Sequence, residues 1–127
     1  MRSQGRSMAN KQMLAAVAMA DVVLINPTHY SVALQYDPDV CPAPRVIAKG
    51  TDHIAFKIRE IAKENRIPLH EDPPLARSLH ATVEVNHMIP PELFMAVAEV
   101  LALVFQKKGG RQSRTRNPLV APLSLQR

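Results

Sequence analysis

Four apolar residues in a row, Val22-Val23-Leu24-Ile25, are stopped at once by Asn26-Pro27, and this constrains the chain more than any other feature. The run is short and rich in branched side chains, so it reads as a buried strand ending in a turn. From Tyr30 to Tyr36 apolar and polar residues alternate, with Val32, Leu34 and Tyr36 (or Tyr30) on one face, which predicts a second strand. Residues 37–44 hold three prolines and read as a loop. Arg45 to Lys49 contains Val46-Ile47-Ala48 and reads as a third strand closed by Gly50. The period then changes: Ile54, Ala55, Ile58, Ile61 and Ala62 recur at helical spacing behind Thr51 or Asp52 as the cap, which predicts a helix to about Asn65. Ile67 to His70 reads as a short strand, with Pro68 marking its start or a sheet edge.

Pro73-Pro74 opens a short helix bearing Leu75, Leu79 and Val83, and Pro90-Pro91-Glu92 opens a last one. That last helix is apolar on nearly every face from Leu93 to Phe105, so it is packed on most sides or presents part of itself to a partner. Residues 7–20 read as the end of a further helix. The pattern predicts an α/β fold: a small mixed sheet of about four strands packed by about four helices, with flexible basic termini.

Charge divides the chain in the same way. The net charge of +5 over 127 residues comes from the ends. Residues 1–19 carry Arg2, Arg6 and Lys11 with no acid, and residues 107–127 carry six basic groups with no acid. The middle is left with seven basic groups against all 11 acids, a net of −4. A basic end can hold nucleic acid or an anionic membrane surface, and a solvated tail is the commoner account of it. Two Tyr, three Phe and no Trp, none placed among those charges, supply base stacking poorly, so nucleic acid is not expected as a partner. The single cysteine, Cys41, cannot form an internal disulfide. No apolar stretch reaches the ~20 residues of a spanning helix, which predicts a soluble chain. Composition divides it into a linker helix over 1–19, a domain over 20–107 and a disordered basic tail over 108–127.

The chemistry lies in Asn26-Pro27-Thr28-His29, between the first two strands. Pro27 has no N–H, so the usual attack of the following backbone nitrogen on an asparagine amide is blocked. The Asn26 side-chain nitrogen can instead attack its own main-chain carbonyl, closing a succinimide and expelling Pro27 as a new amino terminus. This nucleophile is poor, and the reaction needs enforced geometry and proton handling. The His29 imidazole can take up or give the proton, and Thr28 can orient the loop. An ordinary Asn-Pro turn carries the same four residues.

The run from Ala20 to Leu34, with that tetrapeptide at its centre, closely resembles the cytoplasmic domain of the FlhB/YscU family, the export-switch proteins of flagellar and injectisome type III secretion. The resemblance continues through residues 43–50, Ile58-Arg59-Glu60-Ile61-Ala62, Pro73-Pro74-Leu75-Ala76-Arg77 and residues 97–102. It covers about residues 7–107 and looks more flagellar than injectisome. It implies self-cleavage between Asn26 and Pro27 by asparagine cyclisation, assisted by Thr28 and His29. The two pieces would stay together, and the apparatus would change from early to late export substrates in response to a length-ruler protein. It implies as partners the membrane components of the apparatus, its substrates and the ruler protein, with no cofactor and no turnover enzyme activity. It places the domain at the cytoplasmic face of the bacterial inner membrane. Family members carry an amino-terminal membrane domain joined by a linker helix, so this chain is expected to be a fragment or a free-standing copy. A non-cleaving scaffold of the same fold is the alternative, and a basic-tailed nucleic-acid-binding module is a more distant one.

A second expectation concerns partner binding. Ala43-Pro44 in the loop, with Ala98 and Leu101 one turn apart on the last helix, are expected to line a shallow recess for a short apolar segment. Core packing of Ala98 and Leu101 is the competing account. The remaining candidates are weak. His53, His70, His80 and His87 show no ligand spacing with Cys41 and read as surface or capping residues. Asp37, Asp39, Glu71 and Asp72 read as solvated loop acids.

Overall fold

The computed structural model describes residues 10–27 and 29–108. Residues 10–16 form α1, followed by a 3-10 turn at Val17–Met19. Four strands follow as β1 (Val22–Asn26), β2 (Tyr30–Gln35), β3 (Arg45–Thr51) and β4 (Leu69–Glu71). Between and after them come α2 (Asp52–Glu64), α3 (Pro73–Thr82), a 3-10 turn at Pro91–Leu93 and α4 (Phe94–Lys108). The sheet runs β3-β2-β1-β4, with β1 antiparallel to β2, β2 antiparallel to β3, and β1 parallel to β4. The expected mixed four-stranded sheet with four helices is what forms. The expected tail over 108–127 and the first residues of the expected linker helix lie outside the described residues, apart from the helical backbone of residue 108.

The period-2 geometry of a strand sends successive side chains to opposite faces. Val22 and Leu24 therefore join Val32, Leu34 and Val46 beneath α3 and α4, in a core completed by Leu79, Val97, Leu101 and Val104. Val23 and Ala33 face the other way and join Val17, Ile47, Ile58 and Ala62 beneath α2. Both faces of β1 and β2 are thus covered, which is why Val22–Leu24 show no alternation in sequence. Exposed Met95 and Leu103 lie on the side of α4 turned away from buried Val97, Val100 and Leu101, and Phe94 at its start is also exposed, so part of that apolar helix is presented to solvent.

Several boundaries differ from expectation, among them β4, which begins at Leu69 rather than Ile67 and runs to Glu71. β3 does not close at Gly50 but runs on to Thr51, because Gly50 pairs with Ser31 and Thr51 with Tyr30. A β-carbon at Gly50 would overlap the Ile54 side chain, so only glycine lets α2 press this closely on the strand. The α2 N-terminus has no side-chain cap from Thr51, and Asp52 takes a φ of 46°. Asp72 is not a solvated acid: its Oδ1 accepts the Leu75 N–H at 3.2 Å and caps α3. The outer side of β3 is closed by a short segment, with Asn86 N–H donating to Val46 O and Ile89 N–H to Pro44 O.

Candidate functional site

Asn26 is the last residue of β1 and Tyr30 the first of β2, and the two are directly paired. The three residues between them must reverse the chain. Proline suits the second position of such a turn, and the restriction it places on the preceding residue agrees with Asn26 remaining extended. The turn closes when the His29 N–H donates to the Asn26 carbonyl oxygen at 2.9 Å. That oxygen belongs to the Asn26–Pro27 peptide bond. A donor therefore sits where negative charge would grow if the Asn26 carbonyl carbon were attacked. Asn26 is half-buried, while Pro27 and His29 are exposed at the rim. Thr28 lies outside the described residues.

Neighbouring elements hold the turn from both sides. The Ile25 carbonyl, one residue before the turn, accepts the Asp72 N–H at 3.0 Å from the start of α3. The His29 carbonyl accepts the Asp52 N–H at 3.0 Å from the start of α2. Beneath the turn, the Tyr30 ring lies 4.9 Å from the His80 ring on α3 and 6.2 Å from that of His29. Burial, and then the charge of Lys49, push the His80 imidazole below its ordinary pKa of 6.5. Lys49 in turn donates to the carbonyl oxygens of His80 and Val83, each at 2.9 Å, where a cation suits the end of α3. The expectation that His80 is a surface or capping residue is therefore corrected: it is half-buried and packed on the residue that follows the turn. Sequence distance hid this, because about 50 residues separate the two rings and only the packing of α3 on the sheet joins them.

The second set of expected residues also comes together. Ala43, Pro44, Ala98 and Leu101 line one cavity of about 180 Å³, with Tyr36, Pro42 and Phe94. Leu101 is 1% exposed and forms its floor, whereas Ala98 is exposed at its wall. The loop before β3 supplies one side and α4 the other, and the lining is almost wholly apolar. Tyr36, Pro42 and Phe94 complete it and were missed. Tyr36 looked like the last residue of a strand, and Phe94 like one member of an apolar run. Turn and cavity lie at opposite ends of β2, about 20 Å apart at 3.4 Å per residue. Among the described residues no group of three or more His, Cys, Asp or Glu could hold a metal ion. No helix among them is long and apolar enough to cross a membrane.

An α/β domain with an Asn-Pro turn joining two inner strands of its sheet is what the geometry defines. The chain belongs to the FlhB HrpN YscU SpaS family, whose model matches residues 1–104. It is 49% identical over 118 residues to the flagellar biosynthetic protein FlhB of Escherichia coli K12, covering 93% of this chain and 31% of that protein. It is 54% identical over 107 residues to the FlhB of Yersinia enterocolitica, covering 84% of this chain and 28% of the relative. The chain thus spans about a third of the length of these relatives. Among solved structures, the cytoplasmic domain of FlhB from Shewanella putrefaciens superposes with a TM-score of 0.75 at 51% identity, covering 77% of this chain and 81% of that one. An EscU C-terminal domain carrying an asparagine-to-alanine substitution superposes with a TM-score of 0.69 at 32% identity, covering 72% and 91%. Related EscU domains carry a substitution of the next residue, a proline, or of a histidine three places after the asparagine. That is the spacing of Asn26, Pro27 and His29 here.

Proposed function

We propose that this chain is a self-cleaving specificity switch of the flagellar protein export apparatus, cut once, in cis, between Asn26 and Pro27. The observation that carries the reading is the hydrogen bond from the His29 N–H to the carbonyl oxygen of that bond, within a turn fixed to two sheet strands. In the reaction the Asn26 Nδ2 forms a bond to the Asn26 carbonyl carbon and loses one proton. The carbonyl oxygen takes up negative charge, which strengthens its bond to the His29 N–H. A single donor of this kind is worth roughly 10²–10³ in rate in an acyl-transfer site. The C–N bond to Pro27 then breaks, and the proline nitrogen takes the proton as it becomes a secondary amine. In this reading the exposed His29 imidazole carries that proton, and Thr28 assists as the family resemblance implies. Water later opens the succinimide. No cofactor enters any step.

Cutting here does not free either piece. β1 stays between β2 and β4, with Val22, Val23 and Leu24 wholly buried. The Asn26–Pro27 link can therefore open while the domain persists, which is what a switch requires. The apolar cavity between Ala43-Pro44 and Ala98-Leu101 is the proposed dock for a short apolar segment of an export substrate or of the length-ruler protein. Membrane components of the apparatus, at the cytoplasmic face of the inner membrane, are the other proposed partners.

Denaturing intact-mass spectrometry of freshly purified protein tests the reading, beside an Asn26→Ala control. Two species summing to the chain plus one water, or plus none while the succinimide survives, and absent from the control, are expected. A single intact chain would overturn self-cleavage and make the domain a scaffold of the same fold.

A further inference from the structure

We propose that Asp52 is a positioning residue for the cleavage turn, acting through its backbone rather than its carboxylate; this rests on the self-cleavage reading. Two hydrogen bonds run in series. The Asp52 N–H donates to the His29 carbonyl oxygen at 3.0 Å, and the His29 N–H donates to the Asn26 carbonyl oxygen at 2.9 Å. His29 is thus held at both its carbonyl and its amide, and the amide is the donor aimed at the scissile carbonyl.

What holds Asp52 is unusually firm. Its φ of 46° lies in the left-handed region, which aspartate tolerates better than most residues and which turns the chain out of β3 directly into α2. The first N–H groups of a helix have no partner within it, so this N–H is available to the neighbouring turn. The junction is clamped to β2 immediately after the cleavage turn. Thr51 pairs with Tyr30 and Gly50 with Ser31. The buried Ser31 hydroxyl donates to the Ala55 carbonyl at 3.0 Å, and Ile54 packs on Gly50 where no β-carbon would fit. A junction locked at Gly50, Thr51, Ile54 and Ala55 can hold the His29 peptide at rest and through the reaction. This fixed placement is what the poor asparagine nucleophile demands.

The experiment follows cleavage of the full chain during cell-free synthesis, sampled over time on denaturing gels. Asp52→Gly keeps the N–H and adopts a φ of 46° freely. It is expected to cleave within about twofold of the unaltered chain, as is Asp52→Asn, which removes only the charge. Asp52→Pro has no N–H and a φ fixed near −65°, and is expected to cleave at least about tenfold more slowly. Asp52→Val, which keeps the N–H but resists the left-handed region, is expected to fall between them. Each variant is also melted in the Asn26→Ala background, and amide exchange at position 29 is read there. In the folded Pro variant the His29 amide is expected to lose protection. If Asp52→Pro does not fold, the ratio of Val to Gly decides. Pro or Val variants that are folded and cleave as fast as Asp52→Gly would overturn the proposal, as would Asn cleaving as slowly as Pro. An unaltered chain that never cleaves would overturn the underlying reading and the proposal with it, whereas a cleaving unaltered chain confines any failure to Asp52.

Discussion

Leu24 is wholly buried in β1, and its strand lies between β2 and β4, so it measures how firmly the amino-terminal piece is held once Asn26–Pro27 is open. The perturbation is Leu24→Ala in a domain supplied as two polypeptides, residues 1–26 and 27–127, so that the outcome does not depend on self-cleavage. Replacing a fully buried leucine by alanine removes its transfer free energy and leaves a void among Val32, Leu34, Leu79 and their neighbours, at a cost of about 3 kcal/mol. With 1.4 kcal/mol per tenfold, the dissociation constant of the two pieces should rise roughly 10²-fold. In the unbroken Asn26→Ala chain the same cost should lower the melting temperature by about 12–24 °C for a domain of this size. Fluorescence titration of a labelled residue 1–26 peptide gives the first number and a thermal melt the second. A dissociation constant that rises less than threefold while the melt falls as stated would refute the reasoning. The piece would then be held by something other than burial of β1.

Three further outcomes follow from the same geometry. Gly50→Ala should lower stability by about 1–3 kcal/mol, read by urea unfolding, because its β-carbon would sit 2.7 Å from the Ile54 β-carbon and force α2 off the sheet. Ala98→Glu, at an exposed wall of the apolar cavity, should leave the melt within about 0.5 kcal/mol of the original and abolish binding of an apolar export-signal peptide. For His80, burial and Lys49 hold the folded-state pKa below the unfolded 6.5, so the unfolded chain takes up the proton first as pH falls. Stability should therefore decline from about pH 6.5 downward until the folded pKa is passed, and His80→Gln should flatten that slope in pH-dependent melts.

The pairing of β1 with β2 has a consequence for how such a switch can work. The bond opened in the proposed reaction lies in a turn at the end of the sheet, and none of the core side chains lies within it. Opening it should change the turn and its surroundings while the apolar cavity, at the other end of β2, keeps its lining. Substrate docking and cleavage would then be coupled only through the strand and the helices packed on it.

The sequence by itself determined the elements and one half of each site. Branched apolar runs must be strands, a 3.6-residue period must be a helix, and proline without an N–H leaves asparagine cyclisation as the route at Asn26. These are local properties, carried by neighbours in the chain. Ala43 and Pro44 in the loop were legible with Ala98 and Leu101, one turn apart on the last helix, and the structure joins them with Tyr36, Pro42 and Phe94, which no spacing indicated. The tertiary structure alone decided what surrounds the turn. Lys49 at the end of α3, His80 against Tyr30, and Asp52 bonded to His29 are brought together by the packing of α2 and α3 on opposite faces of the sheet. In sequence, Thr51 or Asp52 reads as the cap of the helix, because a threonine or an aspartate before a helical period satisfies that rule equally well, and nothing local marks Asp52 as left-handed. Which role it takes depends on the position of His29, a partner 23 residues earlier in the chain, and no local pattern carries that information.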